Sequence, residues 1–180
     1  MRKSKLPNLV EIAHLILASL SDIEVAVDMT SGNGHDTAFL AEHFPVVYGF
    51  DIQASAIENT REKVKDAKVT LIHDDHYNFD AYVTEVDLFV FNLGWLPGSD
   101  KEIVTSATTT LKTLKKCKKH LKEGGVICIT CYNGDSSQQE ETKAVQSWLT
   151  ATDDLFVQKF SLPKAKNSPI LYIMSLKPKK

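Results

Sequence analysis

The feature that most constrains the fold is the alternation of short apolar segments with longer helical segments, which begins near residue 21. Alternation of this kind is typical of α/β proteins, in which helices cover both faces of a parallel sheet. The segment 86–91 contains a single charged residue, Asp87, as expected for a strand that is buried on both faces. The apolar runs predict strands at 23–27, 46–50, 69–72, 86–91 and 125–132.

Helices are predicted between these strands and after them. The periodic segments are 36–44, 54–66, a short piece at 77–84, 102–121 and 138–150. Two further apolar runs, 155–162 and 170–176, are separated by a loop with Pro163 and Pro169 and predict an antiparallel hairpin at the end of the chain. A length of 180 residues corresponds to about one domain, so we expect a single seven-stranded domain over residues 1–180.

The first twenty residues predict an amphipathic helix that docks on this domain. Its apolar positions step by four and three residues: Leu6, Val10, Ala13, Leu17 and Leu20. Glu11 and His14 interrupt the apolar stretch, which argues against a secretory signal. No apolar run is long enough for a membrane span, so we expect no membrane association.

Cysteine usage and charge limit the cellular setting and the partners. Three cysteines are too few for a disulfide framework, so a reducing, cytoplasmic setting is expected. Cys128 and Cys131 stand three apart on a predicted strand, so their side chains point to opposite faces, and we expect buried thiols and no metal site. A net charge of −2 excludes a non-specific nucleic-acid coat.

Two lysine-rich segments allow local contacts with nucleic acid. Residues 112–122 and 159–180 each carry six lysines and no acidic residue. Each segment is interpreted either as a solvated surface or as a phosphate-contacting surface, and the second interpretation is stronger for the terminal hairpin.

The segment 28–37 combines a glycine-rich turn with the start of a helix. Gly32 and Gly34 allow a ligand to approach the backbone, and the free N–H groups at the helix start suit a carboxylate or phosphate. Asp51, at the tip of the second strand, can accept hydrogen bonds from both hydroxyls of a ribose. A ligand that contains a nucleoside is therefore predicted.

The sequence of this loop distinguishes between two classes of cofactor. A dinucleotide fingerprint requires Gly-x-Gly-x-x-Gly, whereas this chain has Asp28-x-Thr30-x-Gly32-x-Gly34. This frame resembles the first motif of class I S-adenosylmethionine-dependent methyltransferases, which share a Rossmann-like fold. The resemblance implies that Asp28 lies near the methionyl amine and that Asp51 holds the ribose. A dehydrogenase, or a nucleoside-binding module without catalysis, is the alternative.

The ends of the third and fourth strands carry further candidates. Asp74, Asp75 and His76 follow the third strand, where such folds line the adenine, although a solvated turn is the alternative. After the fourth strand, Asn92 and Trp95 resemble the Asn/Asp-Pro-Pro-aromatic motif of enzymes that methylate exocyclic amines. That resemblance implies that Asn92 aligns the target nitrogen and that Trp95 stacks on the base, with a core aromatic as the alternative for Trp95.

Together, the segments 28–37, 50–53 and 91–101 resemble the MnmM-like methyltransferases, a family of small bacterial proteins described as rRNA methylases. The resemblance implies transfer of a methyl group from S-adenosylmethionine to the aminomethyl nitrogen of the wobble uridine in tRNA, and a homodimer. The predicted cofactor residues are Asp28, Gly32, Asn33, Gly34, Asp36, Thr37, Asp51, Ile52, Gln53, Asp74, Asp75 and His76. The predicted catalytic residues are Asn92 and Trp95, and the predicted substrate residues are Leu96, Pro97, Lys101, Tyr132, Asn133, Lys164 and Lys166.

This chain departs from the family pattern in two places. The family has Tyr-His-Gly-His after the fifth strand, and this chain has Tyr132-Asn133-Gly134-Asp135. The loop at 164–170 lacks the Pro-Pro-Phe of the family. Both departures fall where the substrate is expected, so methylation of rRNA or of a small amine is kept as the alternative.

Overall fold

The computed structural model describes residues 6–65, 67–94, 106–163 and 167–178. Seven strands form one sheet in the order β3-β2-β1-β4-β5-β7-β6. The strands from β1 to β5 run parallel, whereas β7 is antiparallel to both β5 and β6. The strands are β1 (Val25–Asp28), β2 (Val46–Asp51), β3 (Val69–His73), β4 (Val86–Leu93), β5 (Leu121–Cys131), β6 (Leu155–Ser161) and β7 (Ile170–Leu176).

Five α-helices and one 3-10 helix lie before and between the strands in the described residues. The α-helices are α1 (Leu9–Ala18), α2 (His35–His43), α3 (Ala54–Val64), α4 (Ala107–His120) and α5 (Ser136–Thr150). The 3-10 helix (His76–Ala81) precedes β4. This arrangement confirms the predicted Rossmann-like α/β fold with a C-terminal antiparallel hairpin.

The sheet has a separate apolar core on each face. Successive residues of β4 alternate between the cores, because neighbouring side chains on a strand point to opposite faces. Leu88 and Val90 pack in the core that α1 and α2 cover, whereas Phe89 and Phe91 pack in the core that α4 and α5 cover. Burial on both faces explains the nearly unbroken apolar run of this strand.

Helix α1 packs against the sheet, and its first turn starts later than the apolar spacing predicts. Asn8 caps the helix and forms a reciprocal capping box with Glu11, which stabilises the helix start by about 1 kcal/mol. Leu6 therefore lies before the helix and is 80% exposed, so its predicted place on the docking face is wrong. Leu17 is fully packed into the core against the sheet.

Most of the predicted elements are present, and the differences lie at their ends. The first strand was predicted at 23–27 and runs from Val25 to Asp28. The helix predicted at 102–121 is described from Ala107 to His120. The fifth strand begins at Leu121 rather than at residue 125, because the chain enters the sheet directly from α4.

The lysine-rich segment 112–122 covers the C-terminal part of α4 and the start of β5. Three of its lysines form ion pairs with acidic residues from other elements, and the pairs are Lys116 with Asp80 at 2.8 Å, Lys118 with Asp154 at 2.6 Å and Lys122 with Asp87 at 3.0 Å. The helix runs away from the carboxyl edge of the sheet, so these lysines lie toward the opposite edge. The solvated-surface interpretation therefore fits this segment better.

The three thiols are buried, as the sequence predicts. Cys117, Cys128 and Cys131 are buried and free. Cys128 lies in the core beneath α1, Cys131 lies in the core on the opposite face, and burial raises the pKa of the Cys131 thiol to about 12. Within the described residues, no helix combines the length and apolar character that a bilayer crossing requires.

Candidate functional site

A cavity of about 710 Å³ opens at the carboxyl edge of the parallel strands. It lies where the sheet order reverses between β1 and β4, which is the usual position of a ligand in open α/β sheets. Residues at the carboxyl ends of the five parallel strands line it: Met29 after β1, Asp51 at the end of β2, Asp75 after β3, Asn92 near the end of β4 and Tyr132 after β5.

The loop between β1 and α2 is shaped by its glycines. Gly34 has a φ of +74°, a left-handed conformation that L side chains rarely adopt. A Cβ atom at this position would also lie 2.8 Å from the Cα of Thr60 on α3. The glycine thus allows α2 to start tightly against α3, and it leaves the N–H groups of the first helical turn without a side-chain cap.

Asp28 lies beneath this loop and is fully buried. One carboxylate oxygen accepts a hydrogen bond from the Thr37 hydroxyl at 2.6 Å, and the other accepts one from the Thr30 backbone N–H at 3.1 Å. Burial, reinforced by the nearby charge of Asp36, raises the pKa of Asp28 from 3.8 to about 7. In this structure Asp28 ties the loop to α2 and is not among the residues that line the cavity.

This raised pKa predicts that stability falls as the pH rises. Between about pH 4 and 7 the unfolded chain releases a proton that the folded chain keeps on Asp28, so ionisation costs up to about 4 kcal/mol of unfolding free energy. Urea unfolding of wild type and Asp28→Asn at pH 5 and pH 8 should show the variant gaining about 2–3 kcal/mol relative to wild type at the higher pH. The control is Asp153→Asn, which lies on an exposed turn. An equal difference in unfolding free energy between Asp28→Asn and wild type at both pH values would contradict the prediction.

Asp51 joins two loops at the floor of the cavity. Its Oδ2 accepts a hydrogen bond from the Gly32 N–H, and its Oδ1 accepts one from the Gln53 N–H, both at 2.9 Å. A carboxylate has about four acceptor positions, so two remain for a ligand such as a ribose diol. Asp51 therefore orders the glycine loop and also faces the cavity.

Asn92 lies near the end of β4 and is fixed at two points. Its backbone N–H donates to the Thr30 hydroxyl at 2.8 Å, and its side-chain amide nitrogen donates a short hydrogen bond to Oδ2 of Asp36. A carboxylate cannot donate, so the amide nitrogen faces Asp36 and the amide oxygen faces away from it. Asp36, which the sequence predicts as a cofactor residue, therefore also contacts Asn92.

The residues after β3 have different roles. Asp74 accepts hydrogen bonds from the Asn78 side chain, the Tyr82 hydroxyl and the Asp75 N–H. The hydrogen bond from Asn78 contributes most to lowering the pKa of Asp74. Asp75 and His76 line the cavity, but Asp74 does not. Burial lowers the pKa of His76, so its ring is neutral at pH 7, and its Nε2 is buried with no hydrogen-bond partner in the described residues.

The part of the cavity that is lined by the start of α4, the loop after β5, α5 and the hairpin loop is polar and uncharged in the described residues. Its lining includes Ser106, Thr109, Tyr132, Asn133, Gln138 and Asn167. The Asn133 side chain donates to the Ser168 carbonyl at 2.8 Å, which joins the loop after β5 to the hairpin loop. The two segments that depart from the family pattern are therefore neighbours in space, although 35 residues separate these two positions.

The structure brings most of the predicted cofactor residues into one cavity. Gly32, Asn33, Asp36, Asp51, Ile52, Gln53, Asp75 and His76 line it, as do Asn92, Tyr132 and Asn133. Gly34 and Thr37 are buried in the loop and helix behind it, with Asp28. The predicted residues Trp95, Leu96, Pro97, Lys101, Lys164 and Lys166 lie outside the described residues.

Several lining residues were missed by the sequence analysis. Val10 comes from α1 and Gln138 from α5, elements whose local pattern carries no motif. Ser31 sits within the glycine loop and could have been inferred from its position between Thr30 and Gly32. The others are Met29, Thr30, His35, Gly94, Ser106, Thr109, Gly134 and Asn167.

The chemistry of the lining suits S-adenosylmethionine, which carries a sulfonium and an ammonium group. Three carboxylates, those of Asp36, Asp51 and Asp75, face the cavity, and no lysine or arginine lines its described part. This charge disfavours the pyrophosphate of a dinucleotide and favours a cationic ligand. Ser31 and His76 also line the cavity, and Ser31 Oγ and His76 Nε2 are buried without a hydrogen-bond partner in the described residues.

Two solved structures resemble this fold over nearly its whole length. A "putative rRNA-methylase" from Clostridium thermocellum is 36% identical, has a TM-score of 0.90, and matches 96% of this chain and 100% of its own. A "putative methyltransferase" from Streptococcus mutans, solved in complex with SAH, is 33% identical with a TM-score of 0.85, over 94% of this chain and 98% of its own. A curated relative from Arabidopsis thaliana, "tRNA (mnm(5)s(2)U34)-methyltransferase, chloroplastic", is 32% identical over 91% of this chain and 68% of its own length.

The fold, the cavity and these relatives define an S-adenosylmethionine-dependent methyltransferase of class I. A family model described as "Putative rRNA methylase" matches residues 47–175. The chain belongs to this family.

Proposed function

We propose that this enzyme methylates an amine of RNA, and specifically the 5-aminomethyl group of the wobble uridine in tRNA. The observation that carries the proposal is the placement of Asn92 at the cavity, with its amide nitrogen held by Asp36. The Arabidopsis relative is named as a tRNA (mnm(5)s(2)U34)-methyltransferase, which supports the choice of acceptor.

Asn92 suits the recognition of an amine. With its nitrogen engaged by Asp36, its side-chain oxygen can accept one N–H of the target, which directs the lone pair of that nitrogen. S-adenosylmethionine supplies an electrophilic methyl group on a sulfonium. Alignment of the amine and exclusion of water then account for most of the rate, as in other in-line transfers. Trp95 remains the predicted stacking partner of the base.

The acceptor must be neutral when it reacts. A free alkylamine has a pKa of about 10, and partial burial in the cavity lowers it by disfavouring the charged form. Tyr132 lines the cavity, but burial and the charge of Asp36 raise the pKa of its hydroxyl, so it stays protonated at neutral pH, which disfavours it as an acceptor of the amine proton.

The polar, uncharged half of the cavity supports a nucleobase as the substrate. Asn133, Gln138 and Asn167 offer amide groups that can pair with the edge of a pyrimidine. The phosphates would then contact the predicted residues Lys101, Lys164 and Lys166, because three of the six lysines in the segment 112–122 are paired within the protein.

The proposal is tested by nucleoside mass spectrometry. tRNA that carries 5-aminomethyl-2-thiouridine is incubated with the protein and S-adenosylmethionine, and its nucleosides are analysed before and after. Conversion to 5-methylaminomethyl-2-thiouridine is expected. No conversion by a preparation that binds S-adenosylmethionine in calorimetry would overturn the acceptor while leaving the enzyme class intact.

A further inference from the structure

His14 on α1 contacts a residue of the candidate site from outside the motif loops. Its Nε2 lies 2.5 Å from Oδ1 of Asp36, although 22 residues separate the two positions. The imidazole ring stacks on the Phe39 ring with a centroid distance of 3.9 Å and an interplanar angle of 1°. The stacking fixes the plane of the ring, and the hydrogen bond fixes its direction.

Asp36 thus has a different donor on each carboxylate oxygen. His14 donates to Oδ1, and the Asn92 amide donates to Oδ2. A carboxylate with one donor can rotate about its χ2 bond at little cost, whereas a carboxylate held at both oxygens has one orientation. The orientation of Asp36 in turn sets the plane of the Asn92 amide.

The surroundings strengthen this chain of contacts. The side chains of His14 and Asp36 are 27% and 15% exposed, so water screens their interaction only in part. The neighbouring side chains are largely apolar and include Val10, Ala13, Val90 and Cys128. Docking of α1 does not depend on the pair, because Leu9, Ala13 and Leu17 anchor the helix in the core.

We propose that His14 is a positioning residue for methyl transfer and acts through Asp36 to hold the amide of Asn92 in its working orientation. This inference deepens the proposed function and rests on it. His14 does not need to change its protonation state in this role, because Nε2 carries a proton in the imidazolium and in the matching neutral tautomer.

The first test compares kcat in three variants with the aminomethyl tRNA. His14→Leu removes the donor and should lower kcat by about 100-fold, with KM for tRNA and the Kd for S-adenosylmethionine within about threefold. His14→Gln places an amide N–H near the position of Nε2 and should restore kcat to within about tenfold of wild type. Asn8→Ala weakens the start of α1 but keeps His14, and it should retain the wild-type kcat. An equal loss in Asn8→Ala, or no rescue by glutamine, would overturn the proposal.

The second test does not depend on the acceptor. The side-chain amide signals of Asn92 are followed by ¹H–¹⁵N NMR in the wild type, His14→Leu and Asn8→Ala. We expect the Asn92 signals to shift and to exchange faster with water in His14→Leu alone. Unmoved signals in His14→Leu would overturn the positioning role. If the signals move but wild type does not convert the tRNA, the proposed acceptor fails and the positioning role stands.

Discussion

Replacement of Asn92 by alanine is expected to lower kcat by at least about 100-fold while the Kd for S-adenosylmethionine stays within about threefold. The side-chain oxygen is the group that would orient the amine, so its loss removes an interaction that matters most as the reaction proceeds. The cofactor half of the cavity should survive, because the contact between β4 and the glycine loop uses the backbone N–H of Asn92 and the Thr30 hydroxyl.

This effect is measured by single-turnover methylation of the tRNA together with calorimetric titration of S-adenosylmethionine. Asn78→Ala is a matched control, because this asparagine is exposed and bonds to Asp74 outside the cavity lining. Turnover equal to wild type in Asn92→Ala would remove Asn92 from its proposed role. A parallel loss of cofactor binding would instead show that Asn92 maintains the structure of the glycine loop.

The second large effect is expected in Asp51→Ala, which should raise the Kd for S-adenosylmethionine by about 100-fold or more. The carboxylate is expected to accept from the ribose hydroxyls, and hydrogen bonds to a charged group contribute about 1.5–3 kcal/mol each. The same substitution leaves the N–H groups of Gly32 and Gln53 without their acceptor, so the glycine loop also loses a fixed point.

Asp51→Asn separates these two contributions. The asparagine keeps one acceptor oxygen but places an NH₂ group against one of the two backbone N–H donors, so its Kd should fall between those of wild type and Asp51→Ala. Calorimetry with S-adenosylmethionine and with its product S-adenosylhomocysteine measures both variants, and Asp153→Ala is the control on an exposed turn. A Kd unaltered in Asp51→Ala would refute the ribose assignment.

The local pattern of the sequence was sufficient for the elements near the site. Residues that form a strand, a tight turn or a helix start do so through neighbours in the chain, and the predicted loop at 28–37 and the acid at Asp51 are both at the cavity. The separation of Asp28 from the cavity was not predictable, because the motif specifies an acid at that position but not the depth at which the loop folds over it.

Fewer residues of the acceptor half of the site could be predicted from the sequence. Gln138 follows the start of α5 and Asn167 lies in the hairpin loop, and neither belongs to a motif. Both line the cavity because β7 inserts between β5 and β6, a sheet order that the hairpin pattern alone does not specify. The contact between Asn133 and Ser168 is a consequence of that order.

The sequence by itself determined the α/β alternation, the glycine loop, the acids at the strand ends and the position of Asn92, because each depends on residues within one strand, turn or helix. The tertiary structure decided the direction in which Asn92 presents its amide. That direction depends on Asp36, 56 positions earlier, and on His14, a further 22 positions away, and no local propensity couples residues at such separations. They interact because α1 and α2 pack on the same face of the sheet, and the packing energy of their apolar side chains brings three polar groups within hydrogen-bond distance.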